Sequence, residues 1–171
     1  MKPLRWGGLR TASGASILLA SFLLLLPFPA WAALGDNAAS VLTDQARMKG
    51  TLHSTDNRTY VLHEITMSSG AKVREFVTPG GAVFGVAWEG QFPPNFELLL
   101  GAYYQQAQQA AEQRAATQTQ PDGVPVRRGR GPLVIQTPGL VLNQTGHMRS
   151  FHGVAYVPQL VPQGVQASEI R

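Results

Sequence analysis

The chain has 171 residues and a formal net charge of +4, from 14 Lys and Arg against 10 Asp and Glu. It contains no cysteine, which excludes disulfides, thiolate metal sites, a cysteine nucleophile and a lipid-anchoring cysteine. Three of the basic residues, Lys2, Arg5 and Arg10, lie in the first 32 positions; without them 11 basic residues face 10 acidic ones, so charge gives no argument for nucleic acid as a partner.

Residues 1–32 read as an address: the basic residues just named, an apolar run from Ile17 to Phe28, then Ala30-Trp31-Ala32 as a small-x-small cleavage site. Cleavage is expected after Ala32 or Ala33, giving an exported chain in the periplasm or outside the cell. No later stretch approaches the ~20 apolar residues that spanning a bilayer takes, so no transmembrane segment is expected in the mature chain. Residues 33–171 are long enough for one domain with its own core.

From Asp36 to Gly50 the spacing predicts a helix, capped by Asp36 or Asn37, with Val41, Leu42 and Met48 on one side and Gly50 as its stop. Strands follow at Thr51 to Ser54 and Thr59 to Met67, separated by the turn formers Asp56-Asn57-Arg58, and Ser68-Ser69-Gly70 turns the chain into a third strand at Lys72 to Thr78. Thr78-Pro79-Gly80-Gly81 is a tight reversal into a fourth strand ending at Trp88. On that strand Ala82, Phe84, Val86 and Trp88 alternate onto one face, opposite the small residues Val83, Gly85 and Ala87, so both faces can be covered.

Pro93-Pro94 and the cap residue Asn95 then open the one long helix, with Phe96, Leu99, Leu100, Tyr103, Ala107 and Ala110 at helical spacing. Beyond Tyr104 it is Gln- and Ala-rich and is expected to project into solvent. Residues 116–131 have too few large apolar side chains to order themselves, and read as a mobile linker. Strands resume at Leu133 to Gln136, Leu140 to Gln144 and Met148 to Val157, with reversals at Thr137-Pro138-Gly139 and Thr145-Gly146. Gly85-Val-Ala-Trp88 is echoed by Gly153-Val-Ala-Tyr156. The tail from Val157 reads as a segment docked on the sheet. The expected class is α+β: an antiparallel sheet, made of a four-strand meander and a C-terminal hairpin, packed on one long helix.

Chemistry-bearing residues are few. His53, His63, His147 and His152 lack the tight spacing of a closed metal site, and no metal or cofactor is implied. Ser69-Gly70-Ala71-Lys72 matches S-x-x-K but falls in a hairpin turn rather than at the start of a helix. Arg74-Glu75 reads as part of a surface cross-strand ion pair. Arg127, Arg128 and Arg130 form the one basic cluster, suited at most to an anionic envelope polymer. Trp88 and Tyr156 read first as core; with Phe92 nearby they are alternatively the lining of a groove. His147 beside Arg149 suggests a weak anion contact.

Three stretches, HEITMSSGAKVREFVTPGGAVFGVAWEG, PNFELLLG and GHMRSFHGVAYVPQLVPQGV, resemble an exported proteobacterial family described as domain of unknown function 2844. The resemblance covers nearly all of the chain after the leader, and is weakest from Gln105 to Gly131. It implies a secreted or periplasmic protein and no particular activity. The leading expectation is a non-enzymatic module that binds an envelope protein or polymer or takes part in envelope assembly. The alternative is a small hydrolase that gathers dispersed residues around His147, Arg149 and Glu75. The candidate contact residues are Trp88, Phe92, His147 and Arg149.

Overall fold

A computed structural model describes residues 34–117 and 132–171. The expected leader and cleavage site, and nearly all of the expected linker, lie outside the described residues.

One antiparallel sheet of seven strands organises the chain in the order β1-β2-β3-β4-β7-β6-β5. The strands are β1 Thr51–Asp56, β2 Val61–Thr66, β3 Lys72–Val77, β4 Val83–Gly90, β5 Leu133–Gln136, β6 Val141–His147 and β7 Ser150–Tyr156. The four-strand meander and the C-terminal hairpin are therefore one continuous sheet, joined where β4 pairs with β7. That junction is the sequence echo: Gly85, Val86, Ala87 and Trp88 lie opposite Tyr156, Ala155, Val154 and Gly153. Each glycine faces the aromatic residue of the other strand. A Cβ on Gly153 would stand 2.5 Å from Trp88 Cζ2, so only glycine lets the indole lie flat against β7.

The turn at Thr78 to Gly81 forms as its residues dictate: the Gly81 amide donates to the Thr78 carbonyl at 2.8 Å, and Gly81 takes φ 87°. The strand that follows departs from simple alternation. Val77 pairs with Val83 but Phe76 pairs with Gly85, which leaves Phe84 as the extra residue of a β-bulge. One inserted residue reverses every side chain beyond it, so Phe84 does not share a face with Val86 and Trp88 as expected. Val83, Val86 and Trp88 belong to the core under the helices, and Phe84 and Ala87 to a second core with Phe76 and Ile170. Covering on both faces makes Val83 to Trp88 an unbroken buried run.

Helix α1, Ala39–Met48, buries Val41 and Asp44 and leaves Leu42 63% exposed, contrary to the expected apolar side. It ends at Lys49, which itself takes the left-handed conformation at φ 50° ahead of Gly50. The long helix is interrupted. α2, Phe96–Leu100, starts where the Asn95 side chain accepts the Leu98 amide, a 3-10 turn covers Gly101–Tyr103, and α3, Tyr104–Thr117, continues. Its Gln-rich half does not project into solvent. Ala107 is buried, Gln106 donates to Thr137 Oγ1 at 2.6 Å and Arg114 donates to the Val134 carbonyl at 2.8 Å, which ties α3 to β5 and the turn after it.

The last hairpin turns later than expected. Thr145 and Gly146 remain in β6, and the reversal falls at Met148-Arg149, with Arg149 at φ 64°. The tail docks on the face opposite the helices, where Ile170 is 2% exposed and packs over Gly85. A short 3-10 turn, Ala167–Glu169, closes with a capping box between Gln166 and Glu169.

Candidate functional site

An apolar groove of about 340 Å³ lies between the end of α1, the β2–β3 turn and the start of α2. Met48, Met67, Trp88, Phe92, Pro94 and Leu98 supply its apolar lining; Arg47, Lys72, Gln91 and Asn95 add polar groups. The position follows from the local sequence: β4 runs out at Gly90, and two prolines hold residues 93–94 extended before Asn95 starts the helix. Phe92, in that connection, is 74% exposed. Trp88 is core and groove wall together. It is 3% exposed, meets Phe96 edge-on with centroids 5.4 Å apart, and its buried Nε1 has no hydrogen-bond partner among the described residues.

Trp88 and Phe92 are thus brought to one groove, and His147 and Arg149 are not part of it. His147 is the last residue of β6, pairs with Ser150, and lines a separate hollow with Leu133, Met148 and Phe151. Arg149 opens on a third, polar hollow with Ser69, Gly70 and His152. Glu75 sits mid-strand in β3, level with Val86 and Ala155, so Arg149, six residues before Ala155 and just ahead of β7, is about 20 Å away at strand spacing. Nothing gathers His147, Arg149 and Glu75 around a shared cavity. Tyr156 packs in the second core with the tail.

The opposite face carries a shallow polar trough of about 630 Å³ lined by Arg74, Glu89, Asn143, Thr145, His152 and Arg171. The expected cross-strand ion pair is here, made by Arg74 without Glu75: its Nε donates to Glu64 Oε2 at 2.8 Å and its Nη2 to Glu89 Oε1 at 3.2 Å, and Lys72 Nζ lies 3.5 Å from Glu64 Oε1. Arg74 holds the Glu64 carboxyl below the usual range by that bond.

Glu75 belongs to the other face and is not a surface residue. It is 1% exposed and meets Asp44 of α1, 0% exposed, beneath the helix. Neither carboxyl receives a hydrogen bond from any other group among the described residues. Burial, and then the Asp44 charge, push Glu75 up to about 8; burial pushes Asp44 up to about 6. Two carboxylates in contact in a dry site cannot both ionise without a large penalty, so the pair holds one proton at neutral pH. The sequence reading missed Asp44. An acid at a helix position between Val41 and Met48, spaced to face the sheet, was the available signal.

In register with Glu75 on β2 is His63, whose Nδ1 lies 2.7 Å from Ser54 Oγ on β1. Burial lowers the His63 pKa. The row Ser54, His63, Glu75 has the residue types of a nucleophile, base and orienting acid, but the Glu75 oxygens bond no imidazole and Ser54 borders none of the four hollows described here. Among the described residues no three His, Asp or Glu side chains stand together as metal ligands, and no helix is long and apolar enough to cross a membrane.

Compared with curated proteins and with solved structures, the chain matches none. A family model described as "Protein of unknown function (DUF2844)" matches residues 30–170. The match spans the whole sheet, both flanking layers and the groove at Trp88, and the chain therefore belongs to the DUF2844 family.

Proposed function

We propose that the protein is exported, loses residues 1–32, and acts in the periplasm or outside the cell as a non-enzymatic binding module. The ligand is an apolar stretch of another envelope protein, taken into the groove beside Trp88. The observation that carries this is the groove itself: an apolar hollow with an exposed phenylalanine at its edge, in a chain whose candidate catalytic residues are scattered. Two methionines and a tryptophan give a surface that adapts to apolar side chains, and the Arg47, Lys72, Gln91 and Asn95 side chains give partners for a peptide's polar backbone. A charged polymer would find little here to replace its hydration. Export is supported by the basic, apolar and small-residue order of the first 32 positions.

The test uses the environment-sensitive dye 8-anilinonaphthalene-1-sulfonate on purified protein. Phe92→Asp and Met67→Lys are expected to abolish most of the dye's fluorescence enhancement while leaving the circular dichroism spectrum unchanged. Met148→Asp, which alters an equally exposed apolar residue away from the groove, is expected to leave the enhancement intact. Equal enhancement in all three variants would refute the groove as the binding surface.

A further inference from the structure

The groove has one wall that the fold can move. Arg47 and Met48 stand in the last turn of α1, and α1 rests on the sheet through Val41 and the Asp44 contact with Glu75. A helix of ten residues has little stability of its own in water and depends on what it packs against. Here part of that support, beside the packing of Val41 and Met48, is a polar contact between two groups that repel each other unless a proton joins them.

We propose that Asp44 and Glu75 form a one-proton latch: protonated, it holds α1 on the sheet and keeps the groove closed on its Arg47–Met48 side; deprotonated, it releases the helix. This rests on the groove being the binding surface, and it adds regulation to that site. The Glu75 carboxyl donates its proton to the Asp44 carboxylate, and losing that proton to solvent leaves two anions in contact at 0% and 1% exposure.

The charges that act on the pair are few. Arg47, one turn along α1, favours the Asp44 anion, and Asp36, ahead of α1, disfavours it. On Glu75 the acting charge is Asp44. His63 faces Glu75 from β2, with burial favouring its neutral form, so it offers no cation to replace the proton. From β4, Val86 stands opposite Glu75 and brings no titratable group. Among the described residues Arg47 acts on Asp44 and no cation acts on Glu75, so the proton is what makes the contact attractive.

Hydrogen exchange at pH 5.5 and pH 8.5, expressed as protection factors to remove the intrinsic pH dependence, tests the latch without any ligand. In the wild type, protection of Ala39–Met48 is expected to fall at least tenfold at the higher pH while β4 and β7 keep theirs. Glu75→Gln puts a permanent donor opposite Asp44, and Asp44→Asn puts one opposite Glu75; either variant is expected to keep α1 protected at both pH values. Unchanged wild-type α1 protection overturns the proposal, and this arm stands even if a variant fails to fold. A pH-dependent loss in both variants equal to that of the wild type overturns it as well. Dye binding separates the two claims: lost pH dependence of dye enhancement in Glu75→Gln supports control of the groove by the latch. If Phe92→Asp leaves dye binding intact at pH 5.5, the groove reading fails while the exchange result for the latch stands.

Discussion

Gly153→Ala is the sharpest single test of how the centre of the sheet is put together. The added methyl would stand 2.5 Å from Trp88 Cζ2, 2.9 Å from Trp88 Cε2 and 2.7 Å from the Asn143 carbonyl oxygen. All three are closer than a methyl group tolerates. The indole is fixed in turn by Phe96 and the core, and the carbonyl belongs to β6, the strand next to β7, so neither has an easy way to yield. Overpacking of this kind costs about 1–3 kcal/mol, and a clash with both a locked ring and a backbone atom belongs at the upper end. Against the 5–15 kcal/mol that holds a typical domain, about 3 kcal/mol is a large loss. The assay is urea unfolding followed by circular dichroism, with Gly139→Ala as control. At Gly139 the new methyl meets only the amide end of Gln106, at 3.4 Å, and stability is expected to stay within about 0.5 kcal/mol. If Gly153→Ala is tolerated as well as Gly139→Ala, Trp88 does not lie on Gly153 and the β4–β7 register is wrong.

The buried acid pair makes overall stability fall as pH rises. Glu75 has its folded pKa raised from 4.5 to about 8, and Asp44 from 3.8 to about 6, so the folded state binds more protons than the unfolded one between those limits. The contribution is complete below about pH 4, declines by up to ~1.4 kcal/mol per unit for each proton involved, and is gone above about pH 8. Over the Glu75 interval this amounts to on the order of 5 kcal/mol; urea midpoints measured from pH 5 to pH 9 check it, and midpoints that rise with pH would contradict it. Asn95→Ala removes the side-chain acceptor of the Leu98 amide and is expected to cost about 1 kcal/mol by the same unfolding assay, with loss below a few tenths counting against the cap.

The legible parts of the fold were those fixed by local chemistry. Thr78 to Gly81 announces its turn through proline and a glycine at positive φ, and Asn95 announces a helix start after two prolines. β5 was placed at its observed limits because turn formers bound it on both sides. What stayed hidden depends on contacts distant in the chain. Phe84 becomes a bulge only because β3 pairs with β4 out of step, and alternation read along one strand cannot reveal a partner's register. The sequence places the β6–β7 reversal at Thr145-Gly146 because glycine suits a turn, but pairing continues to His147 with Ser150, and Arg149 accepts the left-handed conformation instead. α3 looked solvent-bound by composition; Ala107 is buried, and the Gln106 and Arg114 bonds anchor the helix to residues 31 and 20 positions away.

Of the candidate site, Trp88 and Phe92 were visible as aromatics near a strand end. Asp44 and Glu75 were not, because two acids 31 positions apart give no sign that they meet. The echo of Gly85 to Trp88 in Gly153 to Tyr156 was visible as a pattern, and its meaning was not: the two segments are partners across the centre of the sheet.

If an apolar stretch of an envelope protein sits in the groove beside Trp88, as proposed, site-specific photo-crosslinking in intact cells captures it. A photoreactive residue is placed at position 92 in one strain and at position 148 in another, the two positions being 74% and 84% exposed in the native side chains. After irradiation, one discrete protein adduct is expected from position 92, absent from position 148, and lost when Met67→Lys is added to the first strain. No adduct from position 92, or the same adducts from both positions, would contradict it.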